Sequence, residues 1–325
     1  MTLNEYKQFV CGKRVCAIGI GVSNVPLIEF LLSCGANVTA CDKKAKSELG
    51  EVAKKLESLG VTLICGEDYL DNLDFEIIFK TPGMRPDVKE LEQARSRGSV
   101  VTSEMELFFE LCPCKIIAVT GSDGKTTTTT LIYETLKKAG YTCHLGGNIG
   151  RPLIGDIEKI TANDMAVLEL SSFQLYTMKK SPDVAVITNL APNHLDWHTD
   201  LDEYLEAKKN IFKFQSGENT LVLNHDNDVT DSLDKESAAG VRKFSRVGSV
   251  ENGVMLIGSD IVYASGGKTE KIMEKKDIRL PGEHNVENYM AMAAAVKDFV
   301  KPETIKEVAL GFGGVAHRIE FVREV

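Results

Sequence analysis

The sequence predicts an α/β protein of two domains, each built on a mainly parallel sheet, and three observations carry that prediction. Apolar runs of strand length alternate with amphipathic, charged segments along the whole chain. Two glycine-rich turns, GIGVSN from Gly19 and GSDGKTT from Gly121, each follow an apolar run and precede a helical pattern. The length of 325 residues suffices for two hydrophobic cores.

In the first domain, predicted over 1–111, a strand at 15–20 runs into GIGVSN. An amphipathic helix at 25–33 follows, closed by Gly35, and then a strand at 37–40 that ends at Cys41-Asp42. Apolar runs at 61–65, 77–79 and 100–101 alternate with charged helical stretches at 48–59 and 87–97, so this domain reads as a Rossmann-like, dinucleotide-fold unit. Its turn lacks the third glycine of GxGxxG, where Asn24 stands, which speaks against NAD because that glycine permits tight helix–strand packing.

The second domain, predicted over 112–316, opens with a strand at 115–119, the glycine loop, and a helix ending near Ala139-Gly140. Strands at 165–170 and 184–188 follow. After Lys213 the shorter runs at 220–223, 253–257 and 261–263 read as a smaller, partly antiparallel layer on the same domain. An alanine-rich helical pattern covers 282–300.

A net charge of −9 argues against a general nucleic-acid binder, since affinity for the phosphate backbone rests on basic residues; small phosphorylated ligands remain compatible. The eight cysteines, all between Cys11 and Cys143, lack paired zinc spacing and read as reduced thiols. With no basic, apolar leader and no apolar run near the eighteen or so residues of a membrane span, the expectation is a cytoplasmic protein with no membrane partner.

The strongest chemical signal is the loop Gly121, Ser122, Asp123, Gly124, Lys125, Thr126 and Thr127 between a strand and a helix. Glycines let the backbone curl so that its amides face phosphate oxygens, and the helix N-terminus adds partial positive charge. Lys125 would lie along the β- and γ-phosphates and Thr126 would offer its hydroxyl to Mg²⁺. The loop is a compressed form of GxxxxGK[ST], because Val119 stands at the first glycine position. Glu169 ends a buried strand, where a metal would offset its charge, although a salt-bridged edge carboxylate reads equally well. The segment Asn189 to His198 clusters His194, Asp196 and His198, each with an ordinary structural reading when taken singly. Asn285 and Asn288 share a helical face that suits an adenine edge, though helix capping accounts for one of them without a ligand.

Taken together, TGSDGKTT, GGNIGRP, ELSSFQL, NHLDWH, YLEAKKNIF, LPGEHNVEN and AHRIE resemble the Mur ligase family in order and spacing, over essentially the whole chain. ELSSFQL with GIGVSN is most similar to the member that adds D-glutamate in peptidoglycan synthesis. The resemblance implies an ATP-dependent amide ligase: ATP phosphorylates the carboxylate of UDP-N-acetylmuramoyl-L-alanine, and the amine of D-glutamate attacks the acyl phosphate. It implies ATP held by the loop from Gly121 to Thr127 together with Asn285, Asn288 and Arg318. Two Mg²⁺ ions would be held by Thr126, Glu169, His194 and Lys208, with Lys208 carbamylated and Lys125, Glu169, His194 and Lys208 as the catalytic group. Without the resemblance, Lys208 reads as a solvated helix lysine. Ser23, Asp42, Lys43, Thr81, Gly83, Asn148 and His194 correspond to positions that bind the UDP-substrate. A monomer is expected.

Two departures stand out. Asp123 brings a negative charge beside the phosphates, and the chain stops soon after HRIE, so 317–325 reads as the start of a third domain whose absence would cost most of the ligation. The alternatives are another Mur-type ligase, a nucleotide-binding module without ligation, and an oxidoreductase using the first domain; the last has no use for the phosphate loop, Glu169 or Lys208.

Overall fold

A computed structural model describes residues 1–191 and 197–314. The described chain forms two compact units, one comprising 1–113 with 151–160 and the other 114–150 with the chain from 161 onward.

The first unit starts with α1 (Leu3–Val10), whose orphan amides are capped by the Thr2 hydroxyl while Glu5 reaches back to the Thr2 amide. Then come β1 (Arg14–Ile18), α2 (Asn24–Ser33), β2 (Asn37–Asp42), α3 (Lys46–Ser58), β3 (Thr62–Cys65), β4 (Ile77–Lys80), α4 (Lys89–Ser96), β5 (Val100–Thr102) and α5 (Glu104–Leu111). The sheet order is β3-β2-β1-β4-β5, with all pairs parallel. Such sheets are buried on both faces, which explains the unbroken apolar run of β1 after Arg14. One face packs Cys16, Ile18, Cys41 and Ile78 against Leu91 and Ala94 of α4. The returning segment Leu153–Lys159, a 3₁₀ helix, packs against α2 and α5. Its insertion into the first unit is not visible in the strand–helix alternation, and the first unit otherwise ends at Pro113, two residues past the expected Leu111.

The second unit carries β6 (Lys115–Thr120), α6 (Lys125–Lys138), β7 (Cys143–Gly147), β8 (Met165–Glu169), α7 (Ser172–Leu175), β9 (Val184–Ile187), α8 (Leu201–Lys209), β10 (Thr220–Asn224), α9 (Asp228–Asp231), β11 (Gly240–Ser245), β12 (Gly253–Ile257), β13 (Asp260–Ser265), β14 (Lys268–Glu274), α10 (Glu283–Val296) and α11 (Pro302–Gly311). Its sheet runs β14-β13-β12-β11-β10-β9-β6-β8-β7. The expected smaller, partly antiparallel layer is instead part of the main sheet: the strands after Lys213 extend it, β10 to β12 in parallel, and β13 and β14 supply the antiparallel part at the far edge. The alanines of α10 are fully buried, and their small side chains let this helix lie close to α6 and the sheet.

None of the eight cysteines is joined in a disulfide. Among the described residues no helix is long and apolar enough to cross a membrane.

Candidate active site

The site in the second unit grows from the C-terminal ends of β6 and β8, neighbouring strands near the β7 edge of its sheet. After β6 the chain must turn sharply into α6, and glycine is required twice. Gly121 has φ +150° and Gly124 φ +76°; an added Cβ would lie 2.0 Å from Thr188 Oγ1 at Gly121 and 2.4 Å from Asn288 Oδ1 at Gly124. The loop is held from behind. The Ser122 amide donates to the Asn189 carbonyl (2.9 Å), the Asp123 amide to Asn189 Oδ1 (2.9 Å), and the Thr188 hydroxyl to the Asp123 carbonyl (2.5 Å). The Ser122 hydroxyl donates to the Ala191 carbonyl at 2.9 Å and lies 3.0 Å from the Tyr204 hydroxyl. Gly124, as N-cap of α6, has no side chain to satisfy the first-turn amides, which leaves the positive end of a fourteen-residue helix facing the hollow of the loop.

Lys125 folds back so that Nζ donates to the Ser122 carbonyl at 2.8 Å. Thr126, one residue on, is buried, and its hydroxyl donates to Glu169 Oε2 at 2.7 Å. Glu169, 2% exposed, receives a second bond at Oε1 from Asn148 Nδ2 (3.0 Å). The Asn148 amide also donates to the Glu169 carbonyl at 2.7 Å, and this close approach needs Gly147, whose Cβ would fall 2.1 Å from that oxygen. A buried carboxylate held by two neutral donors keeps its charge largely uncompensated, which is an environment for a cation. Thr126 and Glu169 supply hard oxygen ligands of the kind Mg²⁺ takes; among the described residues no group of three or more His, Cys, Asp or Glu is placed to hold a metal ion.

Lys208 comes from α8, which Asp200 caps through the Glu203 amide. Its side chain is 2% exposed, and Nζ donates to Thr120 Oγ1 (3.1 Å) and to the Gly121 carbonyl (2.9 Å). Burial, reinforced by Lys125 and opposed by Glu169, pulls its pKa down to about 7. Lys208 is therefore neither solvated nor remote: it lies under the phosphate loop. Tyr204, one turn earlier on the same helix face, contacts Ser122 and packs its ring against Lys208. Sequence reasoning missed Tyr204, although its four-residue spacing from Lys208 was a usable signal. Thr188 and Asn189, which lock the loop, carried no signal of their own.

Beside the loop, a cleft of about 400 Å³ is lined by Asp123, Gly124, Thr188, Asn189, Phe244, His284, Glu287 and Asn288. Asn288 Oδ1 accepts from Thr128, its Nδ2 donates to Asn285 Oδ1 (3.2 Å), and Asn285 Nδ2 donates to the Pro281 carbonyl. Asn288 thus joins α10 to the phosphate helix at the cleft, while Asn285 positions it from behind. Asp123 is exposed, so its carboxylate stays in water at the mouth of the loop. Thr127 is half-buried in the first turn of α6. His198 is buried in an aromatic cluster with Phe173, Trp197 and Tyr204, and its Nε2 lies 3.0 Å from the Ser172 hydroxyl, so it meets the loop through Tyr204. His194, Asp196 and Arg318 lie outside the described residues.

In the first unit, the turn after β1 meets Asp42 and Thr81. Asp42 Oδ2 accepts from the Ile20 amide (2.6 Å) and Oδ1 from the Lys44 amide (2.8 Å). A Cβ on Gly19 would stand 3.0 Å from that of Thr81. Asn24, at the third glycine position, is buried and donates to the Ile18 and Gly19 carbonyls. Ser23 makes no capping bond with its side chain; Lys43 and Gly83 are exposed at the same strand ends.

Comparisons with known proteins bear on both units. A family model for the Mur ligase middle domain matches residues 119–296. The UDP-N-acetylmuramoylalanine–D-glutamate ligase of Acetivibrio thermocellus is 52% identical over 324 residues, covering 99% of this chain and 70% of the relative. The ligase of the same name from Clostridium novyi is 51% identical over 325 residues, covering 100% of this chain and 70% of the relative. Among solved structures, UDP-N-acetylmuramate:L-alanyl-gamma-D-glutamyl-meso-diaminopimelate ligase from Neisseria meningitides superposes with a TM-score of 0.63 at 23% identity, covering 94% of this chain and 99% of that one. UDP-N-acetylmuramate–alanine ligase from Thermotoga maritima gives 0.55 at 22% identity, covering 93% of this chain and 69% of that one. These two likenesses support the α/β fold. The phosphate loop, its buried glutamate and the lysine beneath it sit within the matched middle domain, and the chain belongs to the Mur ligase family.

Proposed function

We propose that this chain carries the UDP-N-acetylmuramoylalanine–D-glutamate ligase reaction: ATP-driven activation of the carboxylate of UDP-N-acetylmuramoyl-L-alanine, followed by attack of the D-glutamate amine. The observation that carries this reading is the Thr126–Glu169–Asn148 chain of hydrogen bonds at the mouth of the phosphate loop, with Lys208 directly beneath it. The curated relatives of that name supply the choice of substrate.

In this reading the loop amides and Lys125 bind the ATP phosphates, Lys125 exchanging its bond to the Ser122 carbonyl for phosphate oxygens. The 400 Å³ cleft takes the adenosine end, with Asn288 reading the base and Asn285 fixing Asn288. Thr126 and Glu169 hold Mg²⁺, and a second ion falls to His194 and a carbamylated Lys208. Bound Mg²⁺ supplies neutralisation of phosphate charge. Carbamylation turns the one lysine buried under the loop from a cation into an anion, which matches a metal-holding task better than a second positive charge beside Lys125. Asn148, already on Glu169, orients that carboxylate and meets the middle of the substrate. The turn after β1, with Ser23, Asp42, Lys43, Thr81 and Gly83, takes the uridine end. A cytoplasmic monomer fits these soluble substrates.

Calorimetric titration with ATP·Mg²⁺ and with UDP-N-acetylmuramoyl-L-alanine, together with phosphate release in the presence and absence of D-glutamate, tests the reading. Both ligands should bind, and any phosphate release should require the UDP-substrate. Failure of both to bind a folded chain would overturn it.

A further inference from the structure

Lys80 ends β4 in the first unit and is 2% exposed, yet its ammonium has no hydrogen-bond acceptor among the described residues. A buried cation without an acceptor is costly and is retained where something offsets it. Its position is specific. The sheet order β3-β2-β1-β4-β5 makes β1 and β4 the strands between which the winding direction reverses, and open α/β sheets bind ligands in the crevice outside the carboxyl ends at that point. Lys80 pairs with Ile18, the last residue of β1, immediately before Gly19. Being two residues from Ile78, it points to the same sheet face, toward α4. Thr81, its neighbour in sequence, touches the Gly19 turn.

We propose that Lys80 is a further binding residue of the first unit, donating its ammonium to the diphosphate of a uridine diphosphate compound. The inference rests on reading this unit as the uridine-diphosphate site. At the uridine end of that ligand, only the diphosphate carries the permanent negative charge that an acceptor-free ammonium at the strand end would draw in. Glu106 on α5 and Arg95 on α4 are the charged groups that face Lys80; Arg95 adds positive potential on the same side, and Glu106 partly balances it. Burial pulls the Lys80 pKa down to about 8, so the free protein gives up this proton readily, and a bound diphosphate would hold it in place.

The test is calorimetric titration of the wild-type chain and Lys80→Met with UDP-N-acetylmuramoyl-L-alanine, from about pH 7 to about 9.5. Methionine keeps the stem and removes the charge. The expected result is affinity lower by about tenfold or more in the variant, an unchanged or higher melting temperature, and ATP binding intact. Wild-type affinity should fall as pH rises through about 8, and the variant's should not. Equal affinity in a folded variant overturns the role of Lys80 and leaves the uridine-diphosphate site standing. A flat wild-type pH profile overturns it even if the variant does not fold. No binding by the folded wild-type chain removes the site reading, and this inference with it.

Discussion

The two units each place a glycine turn at the C-terminal end of a parallel sheet, yet the turns are finished in opposite ways. In the first, the protein occupies its own turn: the Asp42 carboxylate takes the Ile20 amide, and Asn24 binds the Ile18 and Gly19 carbonyls. In the second, Asn189 takes the Ser122 and Asp123 amides and Thr188 the Asp123 carbonyl, while the first-turn amides of α6 beyond Gly124 are left without a side-chain cap. The same contrast holds for the two buried lysines. Lys208 donates to two oxygens at the phosphate loop, whereas Lys80 has no such acceptor among the described residues. The Asp42 carboxylate leaves a phosphate at the first turn dependent on a nearby cation such as Lys80, while Lys125 and the helix end already offer positive charge at the second. Glycine-turn motifs alone therefore do not define a phosphate cradle; the charged side chains that bond to the turn, Asp42 at the first and Lys125 and Lys208 at the second, separate the two.

The comparison can be broken at several points. Lys208→Ala should have the largest effect, a loss of phosphate release on the order of 10- to 100-fold or more, with partial recovery on adding a small carboxylate. A variant as active as the parent would remove Lys208 from the metal site.

Lys125→Ala should weaken ATP binding roughly tenfold to a hundredfold, for the loss of a charge-assisted contact of about 1.5–3 kcal/mol. Unchanged ATP affinity in a folded variant would mean that the loop does not hold the nucleotide phosphates.

A stability test sharpens the contrast from the side of the first unit. Glu104 at the start of α5 is 5% exposed, with Oε1 unbonded and only the Ile154 amide donating to the carboxylate; burial raises its pKa to about 7. Because the folded value lies above the unfolded one, the protonated form stabilises the fold at low pH, and that stability is lost as pH rises through about 7. Comparing denaturant unfolding at about pH 5.5 and about pH 8, Glu104→Gln should remove on the order of 2 kcal/mol of this decline. An identical decline in both proteins would show that Glu104 does not set it.

The smallest effect is expected at Asp42→Ala: UDP-substrate affinity lower by several-fold, about 1 kcal/mol, with ATP affinity unchanged. Equal loss of both ligands would indicate general unfolding and erase the division of labour between the units.

Much of this architecture is legible from residue order. Strand–helix alternation locates the strands at β1, β2, β4, β6, β8, β9 and β10, because fully buried parallel strands must be apolar throughout. It passes over β7 and β11, which are only partly buried, and β14, whose KTEK start is exposed at a sheet edge and carries no burial pattern. It also assigns β10, β12 and β13 to a smaller layer of their own, because short runs do not declare which strand they will pair with. The loop from Gly121 to Thr127 is readable because its chemistry is contiguous in sequence; the Glu169–Asn148 bond and the placement of Lys208 are not, since they join residues 21 and 87 positions apart.

By itself the sequence determined the α/β class, the two glycine turns, the phosphate loop and the set of polar residues available to a site, all of them properties of neighbours along the chain. Only the tertiary structure decided that the segment 151–160 belongs to the first unit, that Asp42 closes its own turn, and that Lys80, Glu104 and Lys208 are taken out of water. The physical reason is that burial and hydrogen-bond partnership depend on which distant segments pack together. The same lysine is a solvated cation on one surface and a readily deprotonated amine under another.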